Sequence, residues 1–231
     1  MQRFASALFL VGLVALIAAI FRHPEFGTAP MLAGQAINAV SPGEVGAGNI
    51  VTSVVLAYRG FDTLLELTIL FTAAAAVGLV LGRPDPAGAR EKDAGFILQA
   101  GADLLFPLLL VVGLYIILHG HLTPGGGFQG GVIVACAFFV PMLARPGTPL
   151  DHRAVALIEG LAGTAFILIG LAAFFGGHAF LTPLLGKGKL SALFSAGTLP
   201  LLYLAVGLKV GAELAGLLAR MAETDGGGGD R

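Results

Sequence analysis

Residues 120–131 read Gly120-His-Leu-Thr-Pro-Gly-Gly-Gly-Phe-Gln-Gly-Gly131. This stretch lies between an apolar run that ends at His119 and a second apolar run over residues 132–143. A proline and three consecutive glycines do not continue a helix, so the stretch is predicted to connect two membrane-length helices. Glycine also lets the backbone approach a neighbouring group closely. The stretch is either a tight helical hairpin turn or a point of close contact with the following helix, another subunit or an ion.

The composition is that of a membrane protein rather than a soluble one. Hydrophobic residues make up 56% of the sequence, charged residues make up 12%, and the mean hydropathy is +0.90. These values are typical of an integral membrane protein. The formal net charge is -1 and no run of like charges occurs, so no nucleic-acid partner is expected. Cys136 is the only cysteine, and it is expected to be a small buried residue.

Six stretches are apolar and long enough to span a bilayer as helices. Two of them precede a polar linker with two prolines, residues 83–93, and four follow it. The predicted fold is therefore an all-α, polytopic membrane protein: a two-helix segment over 1–82, a four-helix domain over 94–222 and a disordered tail over 223–231. Residues 24–48 are expected to form an ordered loop or a re-entrant piece. The predicted spans are residues 4–21, 63–81, 96–119, 128–143, 154–175 and 198–220.

The first span has an alternative interpretation as a signal peptide. A signal peptide would end in a cleavage site with small residues, whereas Phe21, Arg22 and His23 follow here, which favours a transmembrane helix. The distribution of Lys and Arg then favours both termini in the cytoplasm, in a cell membrane, with the turn at 120–131 on the outer side. The residues placed inside are Arg3, Arg83, Arg90, Lys92, Arg145, Arg153, Arg220 and Arg231, and those outside are Arg22, Arg59, Lys187 and Lys189.

Several ionisable side chains fall within the predicted spans. A charge at a helix centre costs about 2.5 to 3.5 kcal/mol on insertion scales, so such residues should face protein or water. Lys209 and Glu213 are four residues apart and share one helix face. They indicate either a cation path or a salt bridge that only fixes the packing of helices. The candidates for the cation path are Glu66, Asp103, Glu159, Lys209 and Glu213.

Two of these candidates have structural alternatives. Glu159 is close enough to the start of its helix for the side chain to reach the membrane surface. Asp103 lies four residues before Pro107, and a proline in mid-helix frees a carbonyl group. Glu159 is therefore expected to reach the membrane surface. Asp103 is expected either to reach the surface as well or to shape a hydrated kink together with Pro107.

A local ion pair is expected near the start of the second span. Arg59 precedes Asp62 by three residues, and Glu66 follows four residues later. If Arg59 pairs with Asp62, Glu66 is left as the candidate carrier of a proton or cation.

The two histidines beside the glycine stretch are not expected to bind a metal. His119 and His121 are two ligands only, and their spacing at a helix end points them apart. They are expected to cap a helix and to bond to a neighbour, with titration near neutral pH as a further possibility. No metal site, cofactor or catalytic residue is predicted.

The sequence from His119 to Gly131, with its four surrounding helices, resembles the signature of the B subunit of Mrp-type multisubunit cation/proton antiporters, the MnhB/MrpB family. The resemblance covers about residues 93–222. It implies a non-pump membrane subunit that lines or braces a cation path for Na+ and H+, with the A, C, D and small subunits as partners in the lipid bilayer. Related subunits occur in membrane-bound hydrogenases and other respiratory complexes similar to Complex I. The matching residues are His119, Gly120, His121, Pro124, Gly125, Gly126, Gly127, Phe128, Gln129, Gly130 and Gly131.

The sequence from Asn49 to Glu66 resembles the carboxy-terminal end of the large A subunit of the same antiporters. Nothing in the chain resembles the long pumping part of the A or D subunits, so the chain alone is not expected to be an antiporter or an enzyme. It is interpreted as a fusion of two neighbouring small subunits. A purely structural assembly subunit and a module of a redox-driven complex are the alternatives. The matching residues of this segment are Arg59, Asp62, Thr63 and Glu66.

Overall fold

The structure is a computed structural model, and it describes residues 2–22, 30–82, 95–145 and 150–225. The regular elements within these ranges are all helices, which confirms the all-α prediction. The helices are α1 (Gln2–Phe21), α2 (Leu32–Glu44), α3 (Ile50–Thr52), which continues as a π-helical segment over Ser53–Tyr58, α4 (Gly60–Leu81), α5 (Phe96–Leu118), α6 (Gly127–Ala144), α7 (His152–Phe175) and α8 (Leu199–Asp225).

The described ranges contain six helices that are long and apolar enough to cross a membrane. They are α1 and α4 to α8, so the predicted arrangement of two spans before the linker and four after it is confirmed. The protein is a multi-pass membrane protein. The tail predicted from residue 223 begins inside α8, which continues to Asp225, and its remainder lies outside the described residues, as does the linker at 83–93.

The chain divides into two compact units, residues 1–39 and 40–231. The first unit contains α1, whose span Phe4–Phe21 has no buried side chain within the unit. Of the two predictions for residues 24–48, the ordered loop was wrong over 32–44, where α2 forms a helix of 13 residues that includes Pro42. A helix of this length is shorter than the roughly 20 residues that a span requires. The re-entrant piece stays a prediction, and residues 24–29 lie outside the described residues.

Helix α8 lies at the centre of the second unit and packs against α4, α5, α6 and α7. Of the residues in the span of α8, 56% are buried, compared with 6% in α4 and 33% in α6. Leu202, Val206 and Val210 recur at helical spacing on its buried face and have 0% to 1% of their surface exposed. The helix that carries Lys209 and Glu213 is therefore the one most enclosed by protein.

Glycine allows α5, α6 and α8 to approach closely. A Cβ atom added to Gly130 would lie 2.7 Å from the carbonyl oxygen of Gly113 on α5. A Cβ added to Gly131 would lie 2.8 Å from the carbonyl oxygen of Gly207 on α8. Small residues at such contacts are typical of packing between membrane helices. The expectation that Cys136 is buried was wrong, because its side chain is exposed on α6.

Candidate functional site

A lysine and two glutamates form a charged cluster between α7 and α8, here called the charged triad. Lys209 Nζ lies 3.1 Å from Oε2 of Glu213 and 3.3 Å from Oε1 of Glu159. The predicted shared face of Lys209 and Glu213 on α8 is confirmed, and Glu159 comes from α7. Only 8% of Lys209 and 3% of Glu213 are exposed. Two carboxylates share one ammonium group, so the ionised triad has a formal charge of -1.

The lysine side chain is held in place by apolar contacts as well as by its ion pairs. The ring of Phe71 on α4 faces the ammonium group, with its centroid 5.2 Å from Nζ. Such a contact between a cation and an aromatic face contributes about 0.5 to 2 kcal/mol. A Cβ atom on Gly163 of α7 would lie 3.4 Å from Cδ of Lys209, so the aliphatic stem lies over this glycine. Three helices therefore fix the position of the ammonium group.

A cavity of about 400 Å³ opens beside the triad between α4, α7 and α8. Glu159 and Glu213 lie at one end of its lining, and His152 and Arg220 lie at the other end of the same two helices. The wall between them is mainly apolar. Oε1 of Glu213 is buried and has no hydrogen-bond partner among the described residues. Glu213 therefore lines the cavity and also carries a buried carboxylate oxygen without a donor.

The other charged candidates lie elsewhere. Asp103 forms a two-pronged ion pair with Arg145, whose Nη1 and Nη2 lie 2.8 Å and 2.7 Å from the two carboxylate oxygens. This pair joins α5 to the end of α6 at an exposed position, away from the cavity lining. Glu66 is exposed on α4 and does not line the cavity. The structure therefore brings together Glu159, Lys209 and Glu213 and separates the other two candidates from them.

The local ion pair predicted at the start of α4 is present. Arg59 Nη2 lies 2.5 Å from Oδ2 of Asp62, and both side chains are largely exposed. Thr63 points inward instead, and its hydroxyl group donates to the carbonyl oxygen of Val55 at 2.6 Å. This bond links the start of α4 to the π-helical segment before it. π-helical turns are frequently found at functional sites.

The glycine stretch is pinned by residues from the segment that precedes α4. Asn49 donates through Nδ2 to the carbonyl oxygens of Gly120 at 2.8 Å and of Thr123 at 3.0 Å. The hydroxyl group of Thr52 donates to the same Gly120 oxygen at 2.7 Å and lies 2.7 Å from the hydroxyl oxygen of Tyr203. These four contacts, here called the latch, join the segment before α4 to the glycine stretch and to α8.

Backbone geometry explains why the stretch contains so many glycines. Gly125 and Gly126 have φ angles of 146° and 141°, which residues with a side chain rarely adopt. A Cβ atom on Gly126 would lie 2.7 Å from the ring of Tyr203. The stretch is therefore a tight turn, as the first interpretation predicts, and its close contact at Gly126 is with a side chain of α8 and not with the helix that follows it.

A sequence profile described as a domain related to the MnhB subunit of Na+/H+ antiporters matches residues 97–216 of this chain. The chain belongs to the MnhB family. Among curated relatives, the uncharacterized protein MJ1307 of Methanocaldococcus jannaschii is 34% identical over 196 residues, which cover 73% of this chain and 74% of the relative. The putative antiporter subunit mnhB2 of Staphylococcus aureus is 32% identical over 124 residues, which cover 47% of this chain and 86% of the relative.

Two solved structures contain similar chains. One belongs to the membrane-bound sulfane sulfur reductase, an archaeal respiratory membrane complex; its TM-score is 0.82 at 36% identity, with 96% of this chain and 98% of that chain covered. The other belongs to the Mrp complex of Dietzia sp. DQ12-45-1b, with a TM-score of 0.75 at 24% identity. The second match covers 96% of this MnhB-family chain but only 26% of the longer chain, and it establishes a shared fold.

The two histidines of the MnhB signature have different environments. His119 follows the last residue of α5, stacks on Tyr115 with ring centroids 4.1 Å apart, and places Nδ1 3.0 Å from the Tyr115 carbonyl oxygen. The predicted capping role of His119 is confirmed. His121 is 0% exposed, and neither ring nitrogen has a hydrogen-bond partner within the described ranges. Burial lowers the pKa of His121, the backbone groups of Ala192 and Leu193 oppose this shift, and nearby His119 adds to it.

We expect this buried histidine to destabilise the protein in acid. Because its pKa is lower in the folded state, the unfolded state binds more protons as the pH falls below about 6.5. The stability that depends on neutral His121 is complete above that pH and is lost progressively below it. The melting temperature in mild detergent should fall over this range, and His121→Gln should flatten the dependence. His119→Gln is the control. Equal slopes for His121→Gln and the unmodified protein would contradict the assignment.

The latch predicts a measurable effect of one hydroxyl group. Tyr203→Phe removes the partner of Thr52 on α8 and should lower the free energy of unfolding by about 0.5 to 1.5 kcal/mol. Tyr115→Phe is the matched control, because Tyr115 is exposed on α5 and its ring can still stack on His119. Denaturation in mild detergent measures both variants. If the two variants lose equal stability, the Tyr203 hydroxyl group is not part of the latch.

The sequence did not single out four residues that build these sites. Tyr203 and Phe71 have no feature in the sequence that separates them from other apolar positions in a span. Thr52 is a common helix residue, whereas Asn49 could have been identified as an N-cap, since its side chain accepts from the amide of Val51.

Proposed function

We propose that this MnhB-family chain is a non-pump membrane subunit of an Mrp-type Na+/H+ antiporter and that the charged triad with its cavity forms part of the cation path. The observation that carries the proposal is the position of the triad. It combines two carboxylates, one ammonium group and a cavity inside the most enclosed span of the protein.

The composition of the triad favours an ion path over a purely structural ion pair. Packing needs one acid for Lys209, yet two are present, and Glu213 keeps a buried oxygen without a partner. An unsatisfied buried acceptor costs about 1 to 3 kcal/mol, and more when it is charged. Buried ion pairs also contribute little net stability compared with apolar replacements. Such a costly arrangement is typical of a residue that binds protons or ions during transport.

The remaining proposals follow from membership of an assembly. The proposed partners are the antiporter A, C, D and small subunits, and the proposed ions are Na+ and H+. The latch supports the interpretation of residues 1–82 as an A-subunit end fused to the MnhB-like part over 94–222, because Asn49 and Thr52 bond to the turn at Gly120. We further propose that both termini are cytoplasmic and that the chain acts as a transporter component and not as an enzyme.

A second candidate function is the equivalent module of a redox-driven complex. The observation that favours it is the match to a chain of the membrane-bound sulfane sulfur reductase, which this chain covers over 98% of its length at 36% identity. In that setting the triad would have the same role. The energy would come from electron transfer on other chains, as it would in a membrane-bound hydrogenase.

A pull-down of the tagged chain in mild detergent, with each co-purifying subunit identified by mass, separates the two candidates. Recovery of antiporter A, C, D and small subunits supports the Mrp assignment. Recovery of iron-sulfur subunits supports the redox-driven complex and contradicts the Mrp assignment. Recovery of the chain without any partner contradicts both.

A further inference from the structure

We infer that Glu213 is a proton-binding carboxyl group, loaded through the cavity from the carboxy-terminal side of α8. The inference deepens the proposed function and rests on it in one respect: the proton takes part in transport only if the triad belongs to the cation path. Whether Glu213 binds a proton is a property of the triad itself, and it is testable whichever host complex the chain belongs to.

The triad contains two carboxylates and one ammonium group, so it lacks one positive charge. On α8, Glu213 faces Lys209, which bonds to it, and Arg220 lies two turns away at the far end of the cavity. On α7 it faces Glu159, with His152 at the far end. The α4 wall of the cavity carries no ionisable side chain at its lining positions, which are Phe71, Ala74, Ala75, Gly78 and Leu79. One proton on Glu213 makes the triad neutral.

The hydrogen bonds assign this proton to Oε1 of Glu213. Its Oε2 already accepts from Lys209 at 3.1 Å, and Lys209 also donates to Glu159 at 3.3 Å. The ring of Phe71 lies on a further side of the ammonium group. The ammonium group of Lys209 thus contacts Oε2, Glu159 and Phe71, and Oε1 has no donor in the described part of the chain. A proton on Oε1 removes the negative charge from a buried oxygen that has no donor.

The lining of the cavity suits a proton better than a resident metal cation. Hard cations such as Ca2+ and Mg2+ take about six or more oxygen ligands. Apart from the two carboxylates, the lining near Glu213 is formed by Phe71, Val155, Ala156 and Gly216, and the backbone there belongs to helices. No group of three or more His, Cys, Asp or Glu residues in the described ranges is placed to hold a metal ion. A proton needs a single acceptor atom, and Oε1 provides it.

The cavity leads to Glu213 from one side. Between Glu213 and Arg220 it follows α8 for seven residues, which corresponds to roughly 10 Å. On the opposite side of the triad, Val206 and Val210 of α8 are 1% exposed, and Gly127 packs directly against Val206. The proton therefore reaches Glu213 from the end of the bundle where α8 finishes, and packed apolar side chains separate it from the glycine turn.

Infrared difference spectroscopy on the intact complex, isolated with this chain in place, tests the inference. Lowering the pH should produce the carbonyl band of a protonated carboxylic acid in an apolar environment. Glu213→Gln should remove this band. Glu159→Gln should weaken it at a fixed pH, because Lys209 then pairs with Glu213 alone and holds that carboxylate ionised. Glu66→Gln, which changes an exposed acid outside the cavity, is the matched control and should leave the band intact.

Each outcome decides the inference. A band that persists in Glu213→Gln, or that disappears in Glu66→Gln, overturns it. Loss of the band on adding Na+ at constant pH would contradict the preference of the site for a proton over a metal cation, since Na+ would then displace the proton. If Glu213→Gln fails to assemble, Glu213→Asp keeps an acid at the position, and its band should move but not vanish. None of these results depends on which partners the pull-down recovers, so the two proposals can fail separately.

Discussion

Replacing Lys209 with alanine is expected to abolish ion transport by the host complex, with a loss of at least about tenfold, and to destabilise the chain. Lys209 neutralises one of two carboxylates that lie 3.1 Å and 3.3 Å from its ammonium group. Removing one partner of a buried ion pair costs about 3 to 5 kcal/mol, because a buried charge is left without compensation. Ion flux in proteoliposomes measures the first effect, and thermal unfolding in mild detergent measures the second.

A neutral triad separates loss of transport from loss of stability. The triple variant Lys209→Met, Glu159→Gln and Glu213→Gln keeps similar side-chain volumes and removes all three charges, so it should assemble as the unmodified chain does. It should still fail to transport. Transport at a normal rate by this variant would mean that the triad only packs helices. Normal transport and normal assembly of the Lys209→Ala variant would mean the same. Lys187→Ala is the surface control, since the exposed ammonium group of Lys187 donates to the carbonyl oxygen of Gly43, at 2.9 Å, and lies outside the triad.

The second large effect is expected for Gly126→Ala in the glycine turn. A φ angle of 141° is strained for any residue with a side chain and costs about 1 to 3 kcal/mol. The added Cβ would also lie 2.7 Å from Cε1 of Tyr203, so the ring must move away from Thr52. We expect little folded protein to accumulate, with a clearly lower melting temperature for any that does.

Gly160→Ala is the matched control for this substitution. Gly160 lies in the middle of α7, and a Cβ atom there would meet nothing within 4 Å. Alanine is favoured over glycine in a helix interior by about 1 kcal/mol, so this variant should be as stable as the unmodified protein or more so. Fluorescence-detected size-exclusion chromatography of the two variants after heating compares them directly. Equal retention of the folded peak would show that the turn tolerates a side chain.

Much of the architecture was predictable because of the bilayer. A backbone that crosses lipid must satisfy its own hydrogen bonds, so an apolar run of sufficient length has to be a helix. The chemistry of proline and glycine likewise predicts the turn between α5 and α6. The 13-residue helix over 32–44 was missed because it is too short and too polar to resemble a span, and it contains Pro42.

The rotation of each helix about its axis was not predictable in the same way. Helix α4 is apolar on all sides, so its sequence does not distinguish the face that packs from the face that is exposed. Glu66 therefore remained a candidate, and only the structure places it outside the cavity lining. In α8 the partners Lys209 and Glu213 are separated by one turn, and that local relation was sufficient to predict their contact.

Sequence patterns were sufficient to predict the six spans, the turn at 120–131, the ion pair between Arg59 and Asp62, and the position of Lys209 and Glu213 on one helix face. Each of these follows from bilayer length, backbone chemistry or a separation of three or four residues. The tertiary structure alone decided that Glu159 completes the triad and that Asn49 and Thr52 hold the glycine turn. These contacts join residues 50 to 74 positions apart, and they depend on how whole helices pack, which no local pattern records.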